Sequence, residues 1–599
     1  MRKRLILVVV LLAMMTTIVG CTSEDADETT TSVTTVSTTS VPGTTTTQAA
    51  TTTTQPEVVT AYPRNETLYT SGTQWGPPSS WNPLVTWGYA MGTVSLVYET
   101  LFVYDPLANT YMPWLAESGE WTSPTEYALT LREGITWTDG EPFNADDVVF
   151  TFELGQTFPS VQWAPMWDWL ESVNKVDDYH VTFTFSDPLY QEWDNFLYSR
   201  PMVAEHIWAN RTEEEVVNGA NENPVGTGPY MYLTHDQDRQ VWVKNDNWWG
   251  KDALGIDPKP KYIVDIVNGS NNVALGLVLQ GGLDLSNNFL PGVATLVTGG
   301  YGIKTYYPEP PYMLSANTAW LVTNNTKPPM DDPVFRRALA SAIDVDKVVS
   351  VVYGNIVAKA NPTGLLPSWE QFVDQTLVDQ MGFTYNPDEA MALLAGAGYV
   401  DGDGDGYVEN RDGSPIELTL IVPAGWTDWM ESIRVIAEGA QAVGINVVTD
   451  FPDYGARTEV LQNGTFDLAI ANDAQLSNTP WTYYDWIFQD PILPQMTNGN
   501  FSRYENQAAF DLVVALDKTP TDDIDGMKAI ISDLQEIFLT DLPIIPLWYN
   551  GLWAQYSDAV WTGWPGAAGD QNHFLPATWR GYWNMTGLLM LSELELQSQ

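Results

Sequence analysis

The sequence predicts a mixed α/β protein of two or three domains that works outside the cytoplasm. Three observations lead to this prediction: an apolar leader that ends at the only cysteine of 599 residues, a threonine-rich stretch after it, and a long body. The body holds roughly 540 residues, which is too many for a single hydrophobic core. Strand and helix patterns alternate along it, and 44% of the chain is hydrophobic, so we expect a globular protein.

The leader consists of basic residues at 2–4 and a nearly apolar run at 5–19. This run has the length of a signal-peptide core and is too short to span a bilayer comfortably. The leader closes with "IVGC", which resembles the bacterial lipoprotein box, whose cysteine is diacylated after the chain is cut just before it. The resemblance implies a signal peptide at 1–20 and a lipid anchor on Cys21. An ordinary secretion signal is the open alternative.

The stretch at 21–59 combines many threonines with acidic residues, proline and glycine, and it has no apolar period. Such a composition cannot bury enough surface to offset the entropy of ordering. We therefore expect a disordered stalk that starts at the lipidated Cys21 and holds the body away from a membrane.

Charge and missing motifs exclude several function classes. The chain has 26 Lys and Arg against 75 Asp and Glu, a formal net charge of -49. Such a body would repel nucleic acid and anionic lipid surfaces, so a lipid anchor is the only membrane contact we expect. The sequence has no HExxH, GxSxG or GxxxxGK[ST] motif. Carboxylates are so abundant that a glycoside hydrolase stays open as a remote alternative.

Local patterns place several elements of the body. Tyr127–Arg132 alternates polar and apolar residues, and we expect it to turn at Glu133-Gly134 and pair with 135–138 as a hairpin. Asp139-Gly140 predicts the next turn. Asn144 is expected to cap a helix that runs through Phe152.

A second helix is expected to begin at Asp332-Pro333, where a cap precedes a proline at the first helical position. An apolar stripe follows it, and Arg336 and Arg337 fall outside the stripe. They are predicted to lie on an exposed helix face, and binding a ligand is the alternative.

An acidic loop, "DGDGDGYVENRD", starts at Asp401 and follows the spacing of an EF-hand calcium loop. It lies between a predicted helix at Pro387–Leu394 and a predicted strand at Ile416–Val422. Several carboxylates in one small loop repel one another unless a cation binds among them, so we expect one structural calcium ion remote from the ligand. An acidic surface turn is the alternative. The candidate ligands are Asp401, Asp403, Asp405, Tyr407, Glu409 and Asp412.

From about Thr60 onward, the body resembles the family 5 extracellular solute-binding proteins, the binding lipoproteins that deliver peptides, nickel or oligosaccharides to ABC importers. A series of motifs in the family's order carries the resemblance. It includes "YALTLREGITWTDGEPFNADDVVFTFE", "NPVGTGPYMY", "DPVFRRALASAIDVDKVV", "NGTFDLAI" and "DLPIIPLWYN".

The resemblance implies an α/β fold of the periplasmic-binding-protein-like type II, cluster C, with two lobes, a hinge and an extra inserted domain. It implies a hinge at crossovers near Ser315 and Thr540, with the ligand bound between domains I and III. The implied domains are domain I from 60–105, 222–315 and 541–599 with the C-terminal tail, domain II from 106–221, and domain III from 316–540.

The resemblance also implies the partners and the location. The protein would be a monomer in the cell envelope that binds a small molecule and delivers it to permease subunits, while separate ATPases supply the energy. No catalytic cofactor and no enzymatic activity are expected.

One position departs from the peptide-binding members of the family. Those members carry an aspartate four residues before a proline, where it pairs with the amino terminus of the peptide. Here Leu476 stands four residues before Pro480, and Asp473 lies three residues earlier. A buried ammonium without its carboxylate is costly, so this departure argues against an ordinary peptide ligand.

The 26 tryptophans favour a different ligand. The stretch "TQWGPPSSWNP" and the other tryptophan-rich stretches resemble the oligosaccharide-binding branch of the family, whose members bind cello-, xylo- or manno-oligosaccharides. Flat indole faces pack against the C–H faces of sugar rings. The main interpretation is therefore an oligosaccharide-binding importer component. A peptide-binding component is the alternative, and a surface glycoside hydrolase or adhesin is a remote one. The predicted ligand-binding residues are Trp75, Trp81, Trp426 and Trp481 as stacking platforms, Trp429 and Trp548 as second choices, and Asn472 and Asp473 as hydroxyl partners.

Overall fold

The computed structural model describes residues 62–72, 74–85, 89–497, 499–567, 575–579 and 586–598. The predicted signal peptide, Cys21 and the whole of the predicted stalk lie outside these residues. The strands in chain order are β1 (Thr67–Ser71), β2 (Phe102–Asp105), β3 (Thr110–Pro113), β4 (Ala116–Ser123), β5 (Glu126–Leu131), β6 (Leu170–Asp177), β7 (His180–Phe185), β8 (Tyr230–His235), β9 (Arg239–Lys244), β10 (Tyr262–Ile266), β11 (Leu285–Ser286), β12 (Ile303–Lys304), β13 (Leu314–Thr323), β14 (Ala358–Lys359), β15 (Leu418–Ile421), β16 (Val447–Asp450), β17 (Leu468–Ala471), β18 (Ile544–Leu552), β19 (Gln555–Ser557), β20 (Trp561–Thr562) and β21 (Glu595–Leu596).

Helices alternate with these strands, and within the described ranges none is both long and apolar enough to cross a membrane. The α-helices are α1 (Ala145–Thr157), α2 (Tyr190–Ser199), α3 (Glu205–Trp208), α4 (Glu213–Asn218), α5 (Gly250–Ala253), α6 (Asn271–Leu279), α7 (Val293–Thr298), α8 (Pro333–Ala342), α9 (Val345–Lys347), α10 (Gln375–Met381), α11 (Pro387–Ala397), α12 (Thr427–Ala442), α13 (Tyr454–Gln462), α14 (Trp481–Phe488), α15 (Gln507–Asp517), α16 (Ile524–Asp541) and α17 (Gly587–Glu593).

Three larger sheets organise the body. A seven-stranded sheet has the order β12-β19-β11-β1-β10-β9-β8, a six-stranded sheet has the order β14-β18-β13-β17-β15-β16, and a four-stranded sheet has the order β4-β5-β7-β6. One hydrophobic core surrounds the six-stranded sheet, and a second joins the seven-stranded sheet to the four-stranded one.

The chain changes between the seven- and six-stranded sheets twice. The first change lies between β12 and β13, and the second lies between β18 and β19. Because β18 pairs with β13, as in the partners Leu321 and Ile545, the second change falls after Leu552 and not near Thr540. The predicted domain I segment at 541–599 therefore includes a strand of the other sheet. The division into three domains stays a prediction.

The expected hairpin at Tyr127–Arg132 is wrong in its pairing. The strand exists as β5, but its neighbours are β4 and β7, and Leu129 is the partner of Val181. Residues 135–143 form a small reversal of their own, where the N–H of Gly140 donates to the carbonyl of Trp137 at 2.9 Å. Alternation predicted the strand correctly, but its partner β7 lies about 50 residues further along the chain, and local alternation does not indicate which strand pairs with it.

Several predicted elements are confirmed. Asn144 caps α1 and forms a capping box with Asp147, and the side chain of Asp332 accepts from the N–H of Val334 at the start of α8. The predicted helix at Pro387–Leu394 is the first part of α11, and the predicted strand at Ile416–Val422 contains β15.

The predicted exposed positions of the two arginines of α8 are wrong. Arg336 is only 2% exposed, and its guanidinium donates to the carbonyls of Asp541 and Leu542 at the end of α16. Arg337 is half-buried and donates to the carbonyl of Leu539 at 2.7 Å. Both side chains satisfy carbonyl groups that a helix leaves unpaired at its C-terminus.

Candidate functional site

A cavity of about 590 Å³ lies between the seven-stranded and six-stranded sheets. Its volume falls within the roughly 300–1,000 Å³ that is usual for ligand sites. Its walls come from segments that follow β1, β11, β15 and β17, and from the end of β18. Among these, β1 is parallel to β11 and β15 is parallel to β17, so the cavity faces the carboxyl ends of parallel strands, as in other α/β binding sites. We call it the main cavity.

Two glycines allow the main-cavity segments to approach one another. Gly72 follows β1 with φ +111°, and a Cβ there would lie 2.4 Å from the carbonyl carbon of Asn287. Gly425 precedes α12 with φ +87°, and a Cβ there would lie 2.4 Å from the carbonyl oxygen of Gly269. A side chain at either position would push apart two segments that the binding region brings together.

Aromatic rings from both sheets meet on one wall. The ring centroids of Trp75 and Trp426 lie 5.3 Å apart, and those of Trp426 and Trp429 lie 4.8 Å apart. Tyr454 stacks on Trp426 at 5.9 Å. Trp75 and Trp426 are half-buried, so they offer ring surface to the cavity, whereas Trp429 is almost fully covered and contributes mainly support. This wall is suited to packing against flat, weakly polar ligand surfaces.

A chain of amides forms another wall. The side chain of Asn472 donates to Oδ1 of Asn317 at 3.0 Å, and Asn317 donates to Oε1 of Gln475 at 2.9 Å. Gln475 in turn donates to the backbone carbonyl of Asn472 at 3.0 Å. These bonds fix the orientation of the amides, so the polar groups on this wall are held in place before a ligand binds.

Four polar atoms of main-cavity residues are buried and have no hydrogen-bond partner among the described residues. Two are donors, Nδ2 of Asn288 and Nε of Arg457, and two are acceptors, Oδ1 of Asn550 and Oδ2 of Asp473. Buried polar groups normally have partners, and leaving one without costs about 1–3 kcal/mol. A ligand that both donates and accepts hydrogen bonds would match this set.

The main cavity is lined by charged side chains of both signs. Arg457 is 7% exposed and donates to the carbonyl of Ile470, while Asp473 stands on the same wall. Burial raises the pKa of Asp473, and the nearby positive charge of Arg457 opposes that rise. Asp428 has its pKa raised to about 6 by burial, and it accepts from Tyr353 and Asn271. Arg457 is the one cationic side chain among the described residues that line the main cavity.

The structure brings five of the predicted ligand-binding residues together on the main cavity, namely Trp75, Trp426, Trp429, Asn472 and Asp473. It does not bring Trp81 or Trp548 there. Trp81 is 2% exposed and packs against Tyr232 and His235, with ring centroids 4.7 and 4.6 Å away. Trp548 is fully buried within β18, beside Tyr353 at 5.4 Å. Both are core residues in this structure, so neither is retained as a ligand contact.

Sequence reasoning missed several main-cavity residues. Arg457 lies within α13, and its sequence neighbourhood resembles any polar helix. Trp486 lies five residues after the predicted platform Trp481, in the tryptophan-rich stretch "NTPWTYYDW", and it was not predicted itself. Asn288 and Asn550 carry no local signal, because their role depends on which strands end beside them.

A second cavity, of about 240 Å³, adjoins the first. The predicted platform Trp481 lines it, together with Leu476, the residue that departs from the peptide-binding pattern. Its remaining walls include residues of α2 and α14. We call it the second cavity.

The acidic loop folds compactly, apart from the main cavity. One carboxylate oxygen from each of Asp401, Asp403, Asp405 and Glu409 lies within 4.8 Å of the others, which is a spacing that suits a cation. Asp401 also accepts from the N–H groups of Gly404 and Gly406.

Tyr407 and Asp412, the other two predicted calcium ligands, do not add a carboxylate to this cluster. Asp412 is not part of the group, because its carboxylate accepts from the N–H of Ser414 at 3.0 Å and from its hydroxyl at 2.7 Å. Tyr407 would contribute a backbone carbonyl, and its N–H donates to Asp405.

Comparison with known proteins identifies several that are similar to this chain. The family model described as bacterial extracellular solute-binding proteins, family 5 Middle, matches residues 110–492. A crystal structure of a mannohexaose-bound oligopeptide ABC transporter, periplasmic oligopeptide-binding protein, from Thermotoga maritima is 46% identical. It superposes with a TM-score of 0.87, and the match covers 90% of this chain and 100% of that one.

Two curated proteins show the same similarity at lower identity. The peptide transport periplasmic protein SapA of Salmonella typhimurium is 27% identical over 487 residues, which is 75% of this chain and 81% of the relative. The oligopeptide-binding protein AppA of Bacillus subtilis is 25% identical over 448 residues, 73% of this chain and 78% of the relative.

Proposed function

This chain belongs to the bacterial extracellular solute-binding proteins of family 5, and from that premise we propose that it captures an oligosaccharide in the main cavity. It is the substrate-binding component of an ABC importer. The predicted fold class, α/β and periplasmic-binding-protein-like of type II, is confirmed. Its relatives are periplasmic binding proteins of transporters and not enzymes.

The composition of the main cavity is the observation that carries the proposal. Half-buried indoles of Trp75 and Trp426 form one wall, and amides held by hydrogen bonds form another. Sugar rings present apolar C–H faces to the first, and their hydroxyls both donate and accept at the second. The two buried donors and two buried acceptors without partners suit such hydroxyls.

The similar Thermotoga maritima protein supports the same ligand class. It is named an oligopeptide-binding protein, but its crystal structure contains mannohexaose. The similarity of 46% identity extends over the whole length of that chain, so its ligand is a guide to the ligand class of this protein. A manno-oligosaccharide is therefore the first ligand to test.

A peptide is the second candidate, and the names of the relatives favour it over an oligosaccharide. SapA is named a peptide transport protein and AppA an oligopeptide-binding protein. A free peptide carries an ammonium and a carboxylate, which need partners of opposite charge when they are buried. Asp473 and Arg457 would be those partners in the main cavity.

A thermal-shift screen of the purified protein tests the two candidates. The panel contains manno-, cello- and xylo-oligosaccharides and a mixture of short peptides. A ligand that binds only the folded state stabilises it by about 2.7 kcal/mol at one hundred times its dissociation constant. A rise in melting temperature with one sugar series supports the proposal. A rise with peptides alone would replace it with the peptide-binding function.

Two further parts of the proposal concern regions apart from the main cavity. The first is a lipid anchor on Cys21, which would keep the protein in the cell envelope, either in the periplasm or on the outer face of the cytoplasmic membrane. The second is a structural calcium ion held by Asp401, Asp403, Asp405 and Glu409, supported by the proximity of their carboxylate oxygens.

A further inference from the structure

The second cavity shares part of its wall with the main cavity. Tyr89, Asp473, Gln475 and Trp486 line both. No more than one layer of side chains therefore separates the two spaces. The second cavity, at about 240 Å³, has room for several water molecules or for a small polar group such as one sugar ring.

The second cavity has its own polar and aromatic groups. Glu192 of α2 and Asp485 of α14 both line it, and neither carboxylate accepts a hydrogen bond from the described residues. Burial raises the pKa of each carboxyl to about 7, and the negative charge of Asp485 adds to the rise for Glu192. Arg200 on the same wall opposes that rise. Hydroxyl groups that donate to these carboxylates would replace the solvation that they lost on burial.

Trp481 supplies an independent observation that points to a ligand. It lines the second cavity and is only 8% exposed, and its indole Nε1 has no hydrogen-bond partner among the described residues. An indole N–H needs an acceptor, whereas the two carboxylates need donors. A cation would satisfy only the carboxylates, but a hydroxyl group can satisfy both kinds of atom.

We propose that the second cavity is a further carbohydrate subsite, which binds the far end of an oligosaccharide whose other units occupy the main cavity. Asp485 and Glu192 accept hydrogen bonds from its hydroxyls, and Trp481 contributes an indole face and an N–H donor. This inference depends on the proposed oligosaccharide function and adds a preference for longer chains.

The test is the ratio of the affinity for mannohexaose to the affinity for mannobiose, measured by calorimetry on the purified protein. In the unmodified protein we expect a ratio of at least about ten. Asp485→Asn and Trp481→Ala should each bring it towards one. The matched control is Asp194→Asn, which changes a half-buried carboxylate of α2 that accepts from Thr521 and does not line the second cavity. This control should keep the ratio.

The possible failures are distinct. If mannobiose and mannohexaose bind equally well to the unmodified protein, the subsite is overturned while the oligosaccharide function stands. The same holds if Asp485→Asn and Asp194→Asn give equal ratios. If no oligosaccharide of any length binds the folded protein, the proposed function itself fails, and the subsite fails with it.

Discussion

The ring centroids of Trp75 and Trp426 lie 5.3 Å apart, with their planes inclined by 41°. A sugar ring between two aromatic faces would need two contacts of about 3.5–4.0 Å each, so it does not fit between these rings. The two indoles instead form one continuous aromatic wall. Because Trp75 follows β1 and Trp426 follows β15, this wall also joins the segments of two different sheets.

Trp426→Ala is expected to weaken oligosaccharide binding about tenfold, or roughly 1.4 kcal/mol, because it removes the centre of the aromatic wall. Isothermal titration calorimetry measures the change. Trp121→Ala is the matched control, because Trp121 is also half-buried but packs on Phe185 and Tyr190, away from both cavities. Equal losses in the two variants would mean that the effect is a general loss of stability.

The protein is expected to be more stable at pH 5 than at pH 8, and Glu99 is one cause. Its carboxylate is fully buried and accepts from the indoles of Trp114, Trp248 and Trp249 at 2.8, 3.1 and 2.9 Å. Burial raises its pKa from 4.5 to about 7, although the three hydrogen bonds oppose the rise.

The sign of the pH effect follows from proton binding. Between pH 4.5 and 7 the folded state keeps a proton on Glu99 that the unfolded chain has lost, so the free energy of unfolding falls as the pH rises through this window. At about 1.4 kcal/mol per pH unit, Glu99 accounts for about 3 kcal/mol. The half-buried carboxyls of Glu192, Asp194 and Asp485 also have raised pKa values and act in the same direction.

Urea unfolding at pH 5 and pH 8 checks this prediction. Glu99→Gln should make the difference between the two pH values smaller by about 3 kcal/mol, because an amide does not titrate. Glu153→Gln changes an exposed glutamate and should leave the difference as it is. A difference that Glu99→Gln does not alter would contradict the assignment.

Calcium is expected to raise the melting temperature. At a calcium concentration of one hundred times the dissociation constant, binding adds about 2.7 kcal/mol to the free energy of unfolding. The rise should disappear in the double variant Asp403→Asn and Asp405→Asn, which removes two of the four clustered carboxylates. Asp412→Asn should keep it, since that carboxylate bonds Ser414 and lies outside the cluster. Thermal unfolding with calcium and with EDTA distinguishes these outcomes, and an equal rise in all three proteins would place calcium elsewhere.

Cys21→Ser is expected to move the protein from the membrane fraction to the soluble fraction, because serine offers no thiol to acylate. Fractionation of cells that express each form measures the change. A variant that stays with the membrane would show that another signal holds the protein there.

The sequence by itself determined the local features of this protein. Asn144 and Asp332 each cap a helix because a short polar side chain bonds the first free N–H groups, which requires only neighbours in sequence. The cluster of Asp401, Asp403, Asp405 and Glu409 forms for the same reason, because a nine-residue segment contains all of it. The order of motifs also predicted the family and its fold class.

Only the tertiary structure decided which residues reach the ligand. Trp75 and Trp81 belong to the same short stretch, but one lines the main cavity and the other is buried against Tyr232 and His235. Those partners lie about 150 residues further along the chain. Arg457 and Asp473 meet on one wall because Arg457 of α13 donates to the carbonyl of Ile470 in β17, three residues before Asp473. Exposure, partner choice and the charge balance of a cavity depend on such long-range packing, and local sequence patterns carry no information about it.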